Sequence, residues 1–75
     1  VKKSLSGLGH KLVIKTFQKA GWTLREGGSH AILTKEGEIA RLTIPRHNPV
    51  KQFLLKGVIK TAGMTEEDFF YYLNK

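Results

Sequence analysis

The amino-acid sequence predicts an α+β domain, a three-stranded antiparallel sheet with helices packed on one face, in the order α-β-β-β-α-α. Three observations carry this. Helical apolar spacing up to Ala20 gives way to period-two alternation after Gly21. Two glycine-bearing turns divide the alternating stretch into three strand-like segments. Beyond Pro45, Asn48-Pro49 opens a second helical pattern, and Thr65 opens a third.

In the first helix Ser6 is the expected N-cap and Gly21 the stop after Ala20. Gly9, Leu12, Val13, Thr16, Phe17 and Ala20 fall within an arc of about 140°, the stripe a helix turns to a core. Lys11, Lys15 and Lys19 form a cationic ridge on the other side, read as a solvated face or a track for phosphates. Trp22 to Glu26 alternates apolar and polar residues, Gly27-Gly28 permits a tight reversal, and Ser29 to Lys35 resumes extended character, which makes a hairpin. Lys35-Glu36-Gly37-Glu38 is a second turn. Residues 39–44 are the third strand, with Ala40, Leu42 and Ile44 on one face and Pro45 at its end. The resulting meander leaves its second face for solvent or a ligand.

Asn48 as N-cap, Pro49 in the first turn and Gly63 as stop put the second helix over 49–62, with Val50, Leu54, Val58 and Thr61 on one face. Thr65-Glu66-Glu67-Asp68 resembles a capping box with Asp in place of Glu. Phe69, Phe70 and Leu73 supply the apolar face of the last short helix.

With 75 residues the chain makes one small domain over 1–75. Such a domain has a marginal core, so a binding partner could add much to its stability. An apolar share of 40% against 25% charged speaks against disorder. The longest apolar runs fall far short of the ~20 residues of a membrane span. The Val1-Lys2-Lys3 start lacks a secretory pattern, so the cytoplasm is the expected location. Without cysteine, chemistry must come from His, acids, hydroxyls or Lys.

Thirteen Lys and Arg against six Asp and Glu leave a net charge of +7. The charge is uneven, at +9 over residues 1 to 64 and −2 over residues 65 to 75. A basic body with an acidic tail favours a polyanionic partner. The histidines, His10, His30 and His47, stand in no metal-ligand spacing, so neither a metal site nor a cofactor is expected. His10 sits at the edge of the first helix's stripe and reads as structural. His30 follows Gly27-Gly28-Ser29 at a hairpin mouth, where bare backbone admits a bulky substrate; from position alone it is a surface histidine or a catalytic one. His47 reads as an anchor of the loop after the third strand.

A strand-borne imidazole in a basic domain suits metal-free RNA cleavage. The ribose 2′-OH must lose a proton as it attacks phosphorus, and the 5′-oxygen must gain one; imidazole can do either. Developing charge on phosphorus needs nearby cations, for which Arg25, Lys35, Arg41 and Arg46 are candidates. Strand register decides which of them point the right way.

At Gly28-Ser29-His30 the chain resembles the HicA-type (YcfA-like) mRNA interferase toxins. The match extends to Ser6-Gly7, Ala20-Gly21-Trp22, Arg25, Ile44-Pro45-Arg46-His47 and Ile59-Lys60-Thr61-Ala62-Gly63 before the acidic last helix. The order and spacing of these pieces, more than any one of them, make the resemblance specific. It implies a fold like that of double-stranded RNA-binding domains. It also implies a toxin of a type II toxin–antitoxin pair, an endoribonuclease that cuts mRNA without a metal or the ribosome. In this reading His30 is catalytic; Arg25, Ser29, Lys35, Arg41, Arg46 and His47 contact RNA; and a HicB-type antitoxin covers the histidine. One departure is Gln52-Phe53-Leu54 at the second helix's start, where the family often has Lys-Gly-Thr. It bears on RNA or partner contacts there, not on the hairpin.

The main alternative is a non-catalytic RNA-binding module of similar fold. Against it, Lys51, Lys56 and Lys60 do not form the clustered lysine motif that opens the last long helix of such modules. A third reading, a protein-interaction domain, rests on Phe69-Phe70-Tyr71-Tyr72, residues also suited to completing a small core.

Overall fold

The computed structural model describes residues 4–75, with only the backbone at Glu26 and Gly27; the Val1-Lys2-Lys3 start lies outside the described residues. Its elements are α1 (His10–Lys19), β1 (Thr23–Gly27), β2 (His30–Thr34), β3 (Leu42–Pro45), α2 (Gln52–Thr61) and α3 (Glu66–Leu73). The strands pair antiparallel in the order β1-β2-β3. Alternation along β2 and β3 sends Ala31, Leu33, Leu42 and Ile44 into the core. On the other side of the core lie Val13, Ile14 and Phe17 of α1, Leu55 and Ile59 of α2, and Phe69 of α3. This is the expected α+β arrangement, with the helices on one face of the sheet. Each strand puts every second side chain against them, and a small chain gains most by burying that face alone.

Local signals account for several boundaries. Gly21, with φ +102°, lets the chain leave α1 sharply enough for the Trp22 amide to donate back to the Phe17 carbonyl at 3.0 Å. The capping box of α3 forms as read: the Asp68 amide donates to Thr65 Oγ1 and the Thr65 amide to Asp68 Oδ2, both at 3.1 Å. Phe69 is fully buried and its ring lies 5.4 Å from that of Phe17, so α3 joins the core through an aromatic pair.

Other expectations change. Ser6 does not cap α1; the N-cap is Gly9, and the His10 amide donates instead to Asn48 Oδ1, 38 residues away, at 3.0 Å. Asn48, read as the cap of the second helix, is thereby used on the first, and α2 starts only at Gln52, without a side-chain cap. The buried face of α1 is rotated from the expected arc: Ile14 is buried, whereas Leu12 is 41% exposed. On α2, Leu55 and Ile59 face the core instead of Leu54 and Thr61. Phe53-Leu54-Leu55 are three successive apolar residues spanning about 200° of helix, so periodicity alone did not choose among them. The third strand is shorter at its start than read. Ile39 is fully exposed, pairing begins with Leu42 opposite Leu33, and Pro45 is the last paired residue, opposite His30. A proline is tolerated there because a strand end can forgo a ladder donor.

Candidate active site

The β1–β2 hairpin closes with Gly28 and Ser29 between the paired residues Gly27 and His30. Gly28 has φ +65° and Ser29 has no positive φ, the pattern of a type II′ turn, which takes glycine first. His30 is therefore the first residue of β2, exposed and held against Pro45 of β3. Ser29 Oγ lies 3.1 Å from His30 Nδ1. When Nδ1–H donates to the hydroxyl, Nε2 is a base in the neutral ring and a proton donor in the imidazolium; when the hydroxyl donates, the ring is neutral and its only proton sits on Nε2. In either case it is Nε2 that is left for chemistry.

The loop after β3 is tied down around this histidine. The Arg46 amide donates to the Ser29 carbonyl at 3.3 Å, and the His47 amide to the Pro45 carbonyl at 2.9 Å. Asn48 caps α1, and the Val50 amide donates to the Leu8 carbonyl at 2.8 Å, while the Val50 side chain is buried. Gly9 leaves room for this clamp, since a Cβ there would lie 2.8 Å from Asn48 Oδ1. Four backbone or cap bonds within five residues fix a loop that would otherwise be free to move. The result is a hollow of about 450 Å³ in which His30 and Pro45 face His47, Pro49 and Lys51. Phe53 and Leu54, from the first turn of α2, complete its wall.

Register decides which sequence candidates reach this region. Arg25 pairs with Ile32, which shares the open face with His30, and its Nε points to Thr34 Oγ1 at 3.5 Å. Arg46 and Ser29 adjoin the histidine through the backbone bond just described, and His47 lines the hollow itself. Arg41 is exposed but precedes β3, four residues from Pro45, roughly 13 Å along the strand direction. Lys35, expected among the cations beside His30, lies elsewhere. It follows the far end of β2, where its Nζ lies 3.4 Å from the Ala20 carbonyl and 5.9 Å from the Trp22 ring centroid. Odd-numbered positions of β2 face the core, and Lys35 continues that series over the buried tryptophan.

Sequence reasoning missed Lys51, Phe53 and Leu54 as neighbours of His30. The available signal was the departure at Gln52-Phe53-Leu54, two large apolar residues at a helix start. Phe53 is 69% exposed and Leu54 39%. His10, read as structural, opens α1 half-buried, with Nδ1 buried and unbonded. Among the described residues no group of three or more His, Asp or Glu is placed to hold a metal. No helix is long and apolar enough to cross a membrane among those residues. The acids Glu66, Glu67 and Asp68 sit in the first turn of α3, and Glu36 and Glu38 in the turn beyond the far end of β2.

Comparison with known proteins agrees with the motif reading. Residues 11–64 match the family model described as the HicA toxin of bacterial toxin–antitoxin systems, a span from the first turn of α1 to the end of α2 that includes the whole hollow. No curated protein and no solved structure matches the chain.

Proposed function

The chain belongs to the HicA toxin family of bacterial toxin–antitoxin systems, and on that premise we propose that it is an endoribonuclease that cleaves mRNA with His30 as general acid or base. The observation that carries the proposal is His30 itself, an exposed imidazole at a glycine-opened hairpin mouth, bonded through Nδ1 to Ser29 and lining a hollow that Lys51 also borders. The 2′-oxygen loses its proton and bonds to the adjacent phosphorus. The bond from phosphorus to the 5′-oxygen breaks, and that oxygen takes up a proton. The products are a 2′,3′-cyclic phosphate and a free 5′-hydroxyl. His30 Nε2 performs one of the two proton transfers. Arg46 and His47, on the loop beside His30, are the residues to meet negative charge growing on the phosphoryl oxygens, Ser29 orients the imidazole, and Arg25, Arg41 and Lys35 can meet phosphates farther along the strands. One core shared by all six elements supports reading the chain as one toxin domain.

A HicB-type antitoxin is the proposed partner. The hollow is open and lies in the part of the chain that carries +9, so an acidic surface placed over it would both bind and exclude RNA. The cytoplasm, where mRNA is made and translated, is the proposed location.

The deciding experiment compares the wild type with His30→Ala on single-stranded RNA, alongside circular dichroism of both. Loss of cleavage with an unchanged spectrum is expected, because His30 contributes nothing to the core. A 2′-deoxy residue at the cleaved position should block the wild type. Equal cleavage by the variant, or equal cutting of all-deoxy substrate, would overturn the mechanism. Binding without cleavage by the wild type would make the chain an RNA-binding module.

A further inference from the structure

We propose that the hollow is a nucleotide subsite in which Phe53 is the stacking platform for one base of single-stranded RNA beside the cleaved linkage. The inference rests on the ribonuclease reading and adds to it a binding residue on α2. Phe53 keeps 69% of its surface exposed, on a helix whose buried side is already supplied by Leu55 and Ile59. Its ring is therefore not needed by the core, and leaving it in water costs the fold apolar burial it could otherwise gain. Exposed Phe53 and Leu54 share their hollow with His30, His47 and Lys51.

This combination matches the chemistry of a nucleotide. A base offers a flat π-face to an aromatic ring, and its phosphate needs positive charge a few ångströms away. About 450 Å³ falls within the range of small-ligand sites. The charge favours RNA, because the chain carries +9 over residues 1 to 64. A protein partner buried on Phe53 is the competing occupant. Stacking is sequence-tolerant, so the subsite positions any single-stranded segment with its backbone near His30 and disfavours duplex, whose bases have no free face. The clamped loop from Arg46 to Val50 is what holds His47 and Lys51 at a set distance from the ring.

The test uses binding, so that it does not depend on turnover. A short single-stranded oligonucleotide of 2′-O-methyl RNA, resistant to internal attack, is titrated against the wild type, Phe53→Ala and Phe53→Trp. Phe53→Ala should weaken binding about tenfold or more, the usual range for losing one base–aromatic stack. Phe53→Trp should restore it, with indole emission quenched on binding; Trp22 is buried and supplies only a constant background. A single abasic nucleotide scanned along the oligonucleotide should, at one position, weaken wild-type binding and abolish the difference between wild type and Phe53→Ala. Unchanged affinity in Phe53→Ala overturns the subsite. So does an abasic scan in which the Phe53→Ala loss persists at every position, or a variant that loses antitoxin affinity alone. His30→Ala cleaving as well as wild type would defeat the ribonuclease reading instead, and the binding series would still decide the subsite.

Discussion

Removing the Asn48 side chain tests how the hollow is held together. Asn48 Oδ1 accepts the His10 amide at 3.0 Å, one of the four amides that the start of α1 leaves without a helical partner. Asn48→Ala deletes that bond while the parallel Val50-to-Leu8 bond remains. Loss of a capping acceptor costs about 1 kcal/mol, with a range of roughly 0.5–2. A chain of this size should then melt about 4–8 °C lower, followed by circular dichroism at the helical band. Gly9 provides the internal check. A Cβ at Gly9 would come within 2.8 Å of Asn48 Oδ1, so Gly9→Ala must push the acceptor out of its bond. Gly9 itself has φ −74°, which alanine accepts without strain. Both substitutions therefore remove the same bond, and their costs must not add: Gly9→Ala should be about 1 kcal/mol milder in the Asn48→Ala background than in the wild type. Cleavage should fall in Asn48→Ala as well, since the substitution frees the segment that carries His47. Unchanged melting in Asn48→Ala, or strict additivity of the two substitutions, would refute the clamp.

Phe69→Ala should cost about 3–5 kcal/mol, since it empties a fully buried site against Phe17. Against a total of roughly 4–11 kcal/mol for a domain of this length, urea titration should show a sharply lowered midpoint. RNA affinity should fall with salt, and Arg25→Ala should reduce the slope of log K against log salt by about 0.7, the share of one phosphate contact on a single strand; an unaltered slope removes Arg25 from the phosphate track. In a complex with the antitoxin, hydrogen exchange should slow over residues 25 to 47. Protection confined to residues 65 to 75 would refute occlusion of His30.

The parts of this protein legible in the sequence are those whose cause lies within a few residues. Gly28 makes the hairpin, so His30 could be placed at its mouth; Thr65 and Asp68 cap each other across three residues; Gly21 and Gly63 end helices by their own positive φ. Alternation in β2 and β3 was enough for the strand faces, and with them the α+β class. Tertiary structure decided whatever depends on partners distant along the chain. Asn48 has equal chemistry for capping the helix beside it or one 38 residues earlier. Packing chose the latter, because the bond brings the loop over the sheet end and lets Val50 be buried. Lys35 is a cation like Arg25 in any composition count, yet strand parity sends one over Trp22 and the other to the open face. The consecutive apolar residues at the start of α2 allow several buried faces. Only the fit of Leu55 and Ile59 against the core turned Phe53 outward, toward His30.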